Sequence, residues 1–194
     1  MVGYLTRAVA FFVLGGLVGL MSDRNAKAER EREELLARVQ ELARADQVTG
    51  LPNRRAWDEE IRRQPNDRDA GVSLAMIDID GFKSINDRLG HQAGDDLLAE
   101  AATAWRAAIR DADFLARIGG DEFAMLLAQS SPDETRDRLE RLRAATPAGH
   151  TCSAGITTWQ PGEPAEAAIR RADGALYEAK RNGRDRTHDA SYDG

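Results

Sequence analysis

The apolar positions beyond residue 70 follow two spacings in turn, that of a buried strand and that of an amphipathic helix. Residues 72–78 form an apolar run of strand length, which predicts a buried strand. Phe82, Ile85 and Leu89 then keep the spacing of a helix, and Gly90 ends that helix before another begins. The pattern therefore predicts a strand followed by two helices.

The sequence RIGGDEFAMLL, residues 117–127, predicts a β-hairpin. Gly119 and Gly120 lie between two apolar runs, and glycine reaches positive φ at no steric cost, as a tight turn requires. A turn does not require the adjacent acids Asp121 and Glu122, so we expect these acids to carry chemistry.

The rest of the folded part contributes three helices and one more strand. The first helix carries Trp57 and Ile61 on one face, residues 131–145 form a helix, residues 150–158 form a strand, and the last helix ends at Gly183. An antiparallel hairpin combined with crossover helices predicts an α+β fold, a sheet with helices on its faces.

Composition limits the chain to one ordinary globular domain with a modest appendage. The 194 residues are 42% hydrophobic and 31% charged, with a net charge of −6 and a pI near 5.2. This acidity argues against binding nucleic acid through a broad basic face, whereas it is compatible with a small anionic ligand held by a few local cations. The single Cys152 cannot form an internal disulfide and is expected to be a small core residue.

The beginning of the chain predicts a membrane anchor. Residues 9–21 are uncharged and apolar, and together with residues 2–8 they reach about 20 residues, enough to cross a bilayer. A secretory signal peptide is the alternative, but no A-x-A cleavage site follows. Basic residues are more numerous at 24–32 than before the apolar run, which predicts a single-pass protein of the inner or cell membrane with its folded domain in the cytoplasm. Translation from Met21 would instead give a soluble cytoplasmic protein.

Residues 22–45 predict a charged helix with apolar residues at heptad spacing, at Met21, Ala28, Leu35 and Leu42. Polar residues occupy two other positions of this seam, so only the part from Leu35 to Leu42 is expected to pack well in a short parallel coiled coil. A solvated linker helix is the alternative.

Four carboxylates lie at the predicted edge of the sheet. Asp78 and Asp80 lie where the first strand ends, and Asp121 and Glu122 lie at the hairpin tip. If the hairpin pairs beside that strand, three or four of them converge, and oxygen ligands gathered in this way suit Mg²⁺, with substrate phosphates completing the octahedron. Taken singly, Asp80 could cap a helix and Glu122 could be a surface residue.

Five ordered blocks span the folded part of the chain. They are DQVTGLPNRR from Asp46, DIDGFKSINDRLGHQAGDDLL from Asp78, GGDEF at residues 119–123, CSAGI from Cys152 and RADGALYEAKRNGRD from Arg171. Together they resemble the GGDEF domain family, the diguanylate cyclases that join two GTP into cyclic di-GMP. The resemblance implies an adenylyl-cyclase-like palm with a central mixed sheet. It assigns residues 46–187 to a cyclase domain and residues 188–194 to a tail.

The resemblance also implies the chemistry of the site. Asp78, the backbone carbonyl of Ile79, and Asp121 are expected to hold Mg²⁺, two ions per site with Mn²⁺ as a substitute, and Glu122 shares that work. Asp121 and Glu122 are implied as catalytic acids, Asp121 as the acceptor of the proton from the attacking 3′-hydroxyl. Lys83 is implied as the cation that stabilises the transition state. A bound cation lowers the pKa of the hydroxyl and neutralises the leaving pyrophosphate.

The resemblance implies contacts to GTP from several elements. Asn86 and Asp95 match the residues that read the guanine edge, since a carboxylate accepts from guanine N1–H and N2–H₂, which adenine does not offer. The implied phosphate contacts are Lys180 and Arg184, one turn apart on the last helix. The other implied substrate contacts are Phe82, His91, Gly119 and Gly120.

The sequence RDAD at residues 110–113 matches the RxxD inhibitory site of the family. A guanidinium suits such a site because it can bind phosphate with two hydrogen bonds and stack on guanine. Arg143 is expected to complete this site, although the segment from Arg143 to His150 is shorter than in relatives. Read without the family, Arg110 and Asp113 are only an i, i+3 pair at a helix end.

The leading hypothesis is a membrane-anchored homodimer in which each subunit holds one GTP, with cyclic di-GMP as product and inhibitor and no nucleic acid partner. One alternative is a non-catalytic receptor that senses cyclic di-GMP through Arg110 and Asp113. Another is a cyclase with a different cyclic product, against which Asp95 argues.

Overall fold

The structure of the protein is a computed structural model that describes residues 44–64, 72–128, 131–147 and 149–190, together with six helical positions between Lys27 and Val39. The chain divides into two units, Met1–Ala43 and Arg44–Gly194. The predicted membrane anchor at residues 1–21 lies outside the described residues, as does most of the predicted coiled-coil segment. No helix in the described part of the chain combines the length and the apolar character that a membrane crossing needs.

The second unit contains the helices and strands that the sequence predicts, in the predicted order, and one more strand at its end. They are α1 (Arg54–Arg63), β1 (Val72–Ile79), α2 (Phe82–Leu89), α3 (His91–Ala108), β2 (Phe114–Gly119), β3 (Glu122–Ala128), α4 (Pro132–Ala144), β4 (Cys152–Trp159), α5 (Ala165–Arg181) and β5 (Thr187–Asp189). The start of α4 shows why the sequence predicts these elements well, because Ser131 and Glu134 cap each other's backbone reciprocally.

The strands form one mixed sheet in the order β2-β3-β1-β4-β5. The hairpin of β2 and β3 lies antiparallel beside β1, and Asp78 of β1 is paired with Glu122 of β3. Strand β4 is antiparallel to β1 on its other side, and β5 is parallel to β4. The predicted α+β fold with a central mixed sheet is therefore confirmed, and the hairpin lies beside the first strand as the convergence of acids requires.

Successive residues of β1 point to opposite faces of the sheet, and both faces are covered. Ala75, Ile77 and Ile79 pack into the core beneath α3 and α4, whereas Leu74 and Met76 pack into the core beneath α1 and α5. Burial on both sides explains why this strand reads as one continuous apolar run.

Cys152 lies in the core, as the sequence predicts, with no exposed surface. Burial raises the pKa of its thiol to about 12, so the thiolate form is strongly disfavoured.

Strand β5 is an element that the sequence does not predict. It is three polar residues long, and it takes His188 and Asp189, from the segment interpreted as a tail, to the edge of the sheet beside β4. The Asp189 carboxylate also lies 3.3 Å from Arg136 of α4. A strand this short has no apolar alternation, so only its pairing with β4 identifies it.

The last helix ends at the glycine that the sequence indicates, but Arg184 lies beyond the helix. The last residue of α5 is Arg181, and Gly183 has a φ of 112°, outside the range that a helix allows. Arg184 and Asp185 also have positive φ values, 63° and 47°. Arg184 therefore does not lie one helical turn beyond Lys180 but in a left-handed turn that leads into β5.

Candidate active site

The hairpin tip is a two-residue turn held by one arginine. Gly119 pairs with Glu122, which leaves Gly120 and Asp121 at the tip, and Gly120 has a φ of 52°, in the left-handed region that favours glycine. Nε of Arg117 donates to the Gly120 carbonyl at 2.9 Å, and its Nη1 donates to the Asp46 carboxylate at the same distance. The tip is thus tied to the segment that enters the domain.

Asp46 explains what the first sequence block contributes to the site. Partial burial opposes ionisation of Asp46, but hydrogen bonds from Arg117 and Thr49 outweigh it, so the pKa of the carboxyl lies below its usual value. The ionised Asp46 in turn orients Arg117 under the turn. The sequence alone identifies this block but does not show its role.

The predicted acids meet at the end of β1. Asp78 is 6% exposed and lies opposite Glu122, and the backbone N–H of Ile79 donates to the Asp121 carbonyl at 3.4 Å. Lys180 from α5 reaches the same place, with its Nζ 2.7 Å from Oδ2 of Asp78. Two acids of the hairpin, the acid of the central strand and one lysine therefore share a single sheet edge.

Asp78 is the most strongly perturbed carboxyl group of this cluster. Burial raises the pKa of Asp78 to about 6, and the negative charges of Asp121 and Asp80 act in the same direction. The hydrogen bond and positive charge of Lys180 oppose these effects without cancelling them. A buried carboxylate of this kind is stabilised by a nearby cation.

The donors fit a divalent ion that shares its coordination with a substrate. Within the described ranges, no three side chains of His, Cys, Asp or Glu form a complete metal cluster. Mg²⁺ commonly takes only one or two carboxylates from the protein and completes its octahedron with phosphate oxygens and water. Asp78, Asp121 and the Ile79 carbonyl are oxygen ligands of that type. Burial alone disfavours the ionised form of Asp78, and a bound cation would favour it.

Asp80 does not join this cluster, and it does not cap the following helix. Helix α2 has Gly81 at its N-cap with no side-chain bond. The Asp80 carboxylate instead accepts hydrogen bonds from the hydroxyls of Thr151 and Ser153, both at 2.7 Å, and from the backbone N–H of Asp185 at 3.1 Å. Asp80 thus has partners of its own, whereas the strand pairing places Asp78 opposite Glu122 and next to the turn that carries Asp121.

The residues implied to bind guanine lie on α2 and α3. The Oδ1 atom of Asn86 is buried and has no hydrogen-bond partner among the described residues. A Cβ at Gly94 of α3 would lie 2.0 Å from that oxygen, so the glycine is what admits the amide between the two helices. A buried amide oxygen without a donor is costly, which makes Asn86 a strong candidate for a ligand contact.

The other predicted substrate residues on these two helices differ in exposure. On α2, Phe82 is buried and Lys83 is exposed; on α3, His91 is exposed and Asp95 is half-buried. Phe82 is the residue among them that contacts the same spot as Asn86, since its ring would lie 3.1 Å from a Cβ at Gly94.

A cavity of about 350 Å³ is lined in part by Glu122 and Lys180, on the face of the sheet that α1 and α5 cover. Trp57 and Tyr177 contribute aromatic surface to it. Burial, followed by the charge of Glu122, raises the pKa of Asp173 in its wall. The sequence does not predict this cavity, because its walls come from segments that are distant in the chain, α1, the sheet and α5.

The RxxD residues lie in the turn after α3, and Asp113 of this turn forms a buried ion pair with Arg138 of α4. Asp113 accepts from the backbone N–H of Arg110 at 3.1 Å and from Nη1 of Arg138 at 2.8 Å. The side chains of Asp113 and Arg138 are 0% and 1% exposed, whereas Arg110 is exposed beside a cavity of about 180 Å³. Arg138 is a residue that sequence reasoning missed, since nothing local links it to Asp113.

Arg143 lies away from the RxxD turn. It is five residues beyond Arg138, about 7.5 Å along α4. Its guanidinium donates to Glu140 at 2.7 Å and to Asp185 at 2.5 Å. The structure therefore brings Arg138, and not Arg143, to Asp113.

Comparison with protein families and curated proteins identifies what the chain is similar to. The family described as "Diguanylate cyclase, GGDEF domain" matches residues 43–186. The diguanylate cyclase DgcP of Pseudomonas aeruginosa is 40% identical over 89% of this chain, and the diguanylate cyclase VdcA of Vibrio cholerae is 38% identical over 79%. The chain spans 31% and 49% of the lengths of these two relatives.

Solved structures share the fold. The coiled coil and GGDEF domain of DgcB from Caulobacter crescentus, crystallised in complex with c-di-GMP, superposes with a TM-score of 0.72 at 33% identity. The match covers 89% of this chain and 98% of that one.

Proposed function

This chain belongs to the GGDEF domain family, and from that premise we propose that it is a diguanylate cyclase that condenses two GTP into cyclic di-GMP and two pyrophosphates. One observation carries the proposal. The buried Asp78 lies opposite Glu122, with Asp121 at the adjacent tip and Lys180 within 2.7 Å. Both acids of the signature are present, so the chain has the groups that a catalytic member needs.

The proposed catalytic residues act on a nucleotide bound at this edge. Asp78, the Ile79 carbonyl and Asp121 would hold Mg²⁺, two ions per site with Mn²⁺ as a substitute, and Glu122 would assist. Such an ion lowers the pKa of the attacking 3′-hydroxyl and neutralises charge on the leaving pyrophosphate. Asp121 accepts the proton of that hydroxyl, and Lys83 stabilises the transition state.

Binding of GTP rests on two further groups of residues. Lys180 can exchange its carboxylate partner for a phosphate oxygen, and Arg184 in the turn beyond α5 adds a second cation. Asn86, whose buried oxygen lacks a donor, and Asp95 would accept from the guanine edge. Adenine offers no N1–H or N2–H₂ to these acceptors, so the site would prefer GTP to ATP.

The reaction joins two GTP molecules. The 3′-hydroxyl of each one attacks the α-phosphate of the other. One domain with one acidic edge holds one of them, so we propose a homodimer as the active form. Leu35 and Val39, one helical turn apart, are 62% and 63% exposed at described helical positions, which supports the predicted coiled coil. The membrane anchor at residues 1–21 and a cytoplasmic location remain part of this proposal.

We expect GTP and Mg²⁺ to give a product with the mass of cyclic di-GMP and two equivalents of pyrophosphate. ATP should give none. Asp121→Asn should lose the product while still binding GTP, and Asp137→Asn, at an exposed acid of α4, should behave like the wild type. A wild-type protein that binds GTP or cyclic di-GMP and makes no product would overturn the cyclase and favour a receptor.

Product inhibition at the RxxD turn is the regulatory part of the proposal. Arg110→Ala is expected to raise the cyclic di-GMP concentration needed for half-inhibition at least about tenfold, because it removes an exposed guanidinium that can bind phosphate. Asp113→Ala is expected to cost about 3–5 kcal/mol of folding free energy, because it leaves Arg138 buried without its counter-charge. Inhibition assays on the first variant and urea unfolding of the second test these expectations, with Asp137→Ala, at an exposed acid of α4, as control. Unchanged inhibition in Arg110→Ala would reject the site.

A further inference from the structure

We propose that Asp80 is a positioning residue that fixes the turn at residues 182–186, and with it Arg184, relative to the acid cluster at Asp78. The inference rests on the proposed function for its kinetic consequences. Its structural part depends only on contacts of the described residues.

Asp80 joins three segments that are distant in sequence. Its Oδ1 accepts from the Ser153 hydroxyl, and its Oδ2 accepts from the Thr151 hydroxyl and from the backbone N–H of Asp185. Its own N–H donates to the Thr151 carbonyl at 2.9 Å. The end of β1, the start of β4 and the turn after α5 are therefore held by one carboxylate.

The turn that Asp80 holds is one that the chain would not adopt by itself. Arg184 and Asp185 both have left-handed backbone conformations, which cost non-glycine residues about 1–2 kcal/mol each. Contacts fix it from several sides: the N–H of Arg184 donates to the Ala179 carbonyl at 3.1 Å, and Arg143 binds the Asp185 carboxylate. Asp80 supplies the contact to the strand that carries Asp78.

Two ties connect the end of β1 to the end of α5. One is the ion pair of Asp78 and Lys180, and the other is the hydrogen bond of Asp80 and Asp185. Lys180 is proposed to turn toward phosphate, so the first tie is lost when substrate binds. The hydrogen bond between Asp80 and Asp185 does not take part in binding. It therefore keeps the turn that carries Arg184 in place during the reaction.

A role for Asp80 as a metal ligand fits the contacts less well. A carboxylate offers about four lone-pair positions, and three of those on Asp80 already accept from Thr151, Ser153 and Asp185. Asparagine can reproduce these contacts, since its carbonyl oxygen can accept from Thr151 and Asp185 while its amide donates to the Ser153 hydroxyl. A metal ligand would not tolerate that change.

The kinetic test compares Asp80→Ala with Asp80→Asn. Asp80→Ala is expected to raise the KM for GTP about tenfold, through misplacement of Arg184, while Asp80→Asn should stay within about threefold of the wild type. In an Arg184→Ala background, Asp80→Ala should change the KM no further, because Asp80 acts through the turn. Equal impairment of the two Asp80 variants, or additive effects with Arg184→Ala, would overturn the proposal.

The structural test does not require activity. Hydrogen exchange of the Asp185 amide is expected to be faster in Asp80→Ala than in the wild type and unchanged in Asp137→Ala, an exposed acid of α4. Thr151→Val, which removes one donor, should show a smaller effect in the same direction if Asp80→Ala folds poorly. Unchanged exchange in both would reject the positioning role. A wild type without cyclase activity but with this exchange pattern would reject the proposed function alone.

Discussion

Asp78→Asn is expected to abolish cyclisation while leaving the folded protein at least as stable as the wild type at neutral pH. Loss of the central metal-binding acid should lower kcat by about a hundredfold to a thousandfold. The fold should not suffer, because the buried Asp78 carboxylate is unfavourable to ionise and its partner Lys180 is 34% exposed and can reach water. Product assays and urea unfolding of the same preparation measure the two effects.

The pH dependence of folding stability shows why Asp78→Asn is not expected to destabilise the fold at neutral pH. Burial raises the pKa of Asp78 from 3.8 to about 6 in the folded state, so the folded protein binds the proton more tightly than the unfolded chain does. The contribution of Asp78 to folding stability therefore falls as the pH rises from about 4 to about 6, and its loss, up to roughly 3 kcal/mol, is complete above that range. Asp78→Asn should flatten this part of the profile.

The control for this variant is Asp137→Asn, at an exposed acid of α4. It should keep both the wild-type activity and the wild-type pH profile. An Asp78→Asn protein that is markedly less stable than the wild type at pH 7 would show that Lys180 stabilises the carboxylate more than burial disfavours it. Retained cyclase activity would remove Asp78 from the metal site.

Gly155→Ala is expected to destabilise the fold by about 3 kcal/mol or more, through overpacking against α5. A Cβ at Gly155 in β4 would lie 2.1 Å from the backbone N of Leu176 and 2.2 Å from the Ala172 carbonyl oxygen. Both atoms belong to the helix backbone, so the whole helix must move away from the sheet. Because α5 carries Lys180, activity should fall together with stability.

Gly174→Ala is the matched control for this prediction. Gly174 lies in α5 with open space where a Cβ would stand, and alanine is the better helix former, so this change should stabilise by about 0.5–1 kcal/mol. Urea unfolding of both variants tests the pair. A Gly155→Ala protein of wild-type stability would contradict the close approach of β4 and α5.

The parts of the fold that follow local patterns could be predicted from the sequence. The apolar run of β1 and the glycine turn between β2 and β3 locate these strands, and their pairing brings Asp78 opposite Glu122. The sequence leaves the pairing of the hairpin with β1 as a condition for the convergence of the acids, and the structure meets that condition.

The parts that depend on contacts between distant segments could not be predicted. Arg138 meets Asp113 across 25 residues of sequence, and Asp80 meets Asp185 across 105. No periodicity records such pairs, so neither Arg138 as the partner of Asp113 nor Asp80 as the partner of Asp185 could be predicted. Strand β5 was missed for the same reason, because it is defined by its neighbour.

The buried pair of Asp113 and Arg138 has a consequence for how related sequences drift. A lineage released from product inhibition could lose the exposed Arg110 at no cost to its fold, whereas the internal pair would be retained by selection for folding alone. Persistence of that aspartate in a homologue is therefore weak evidence for feedback control. The surface arginine three positions earlier is the informative marker.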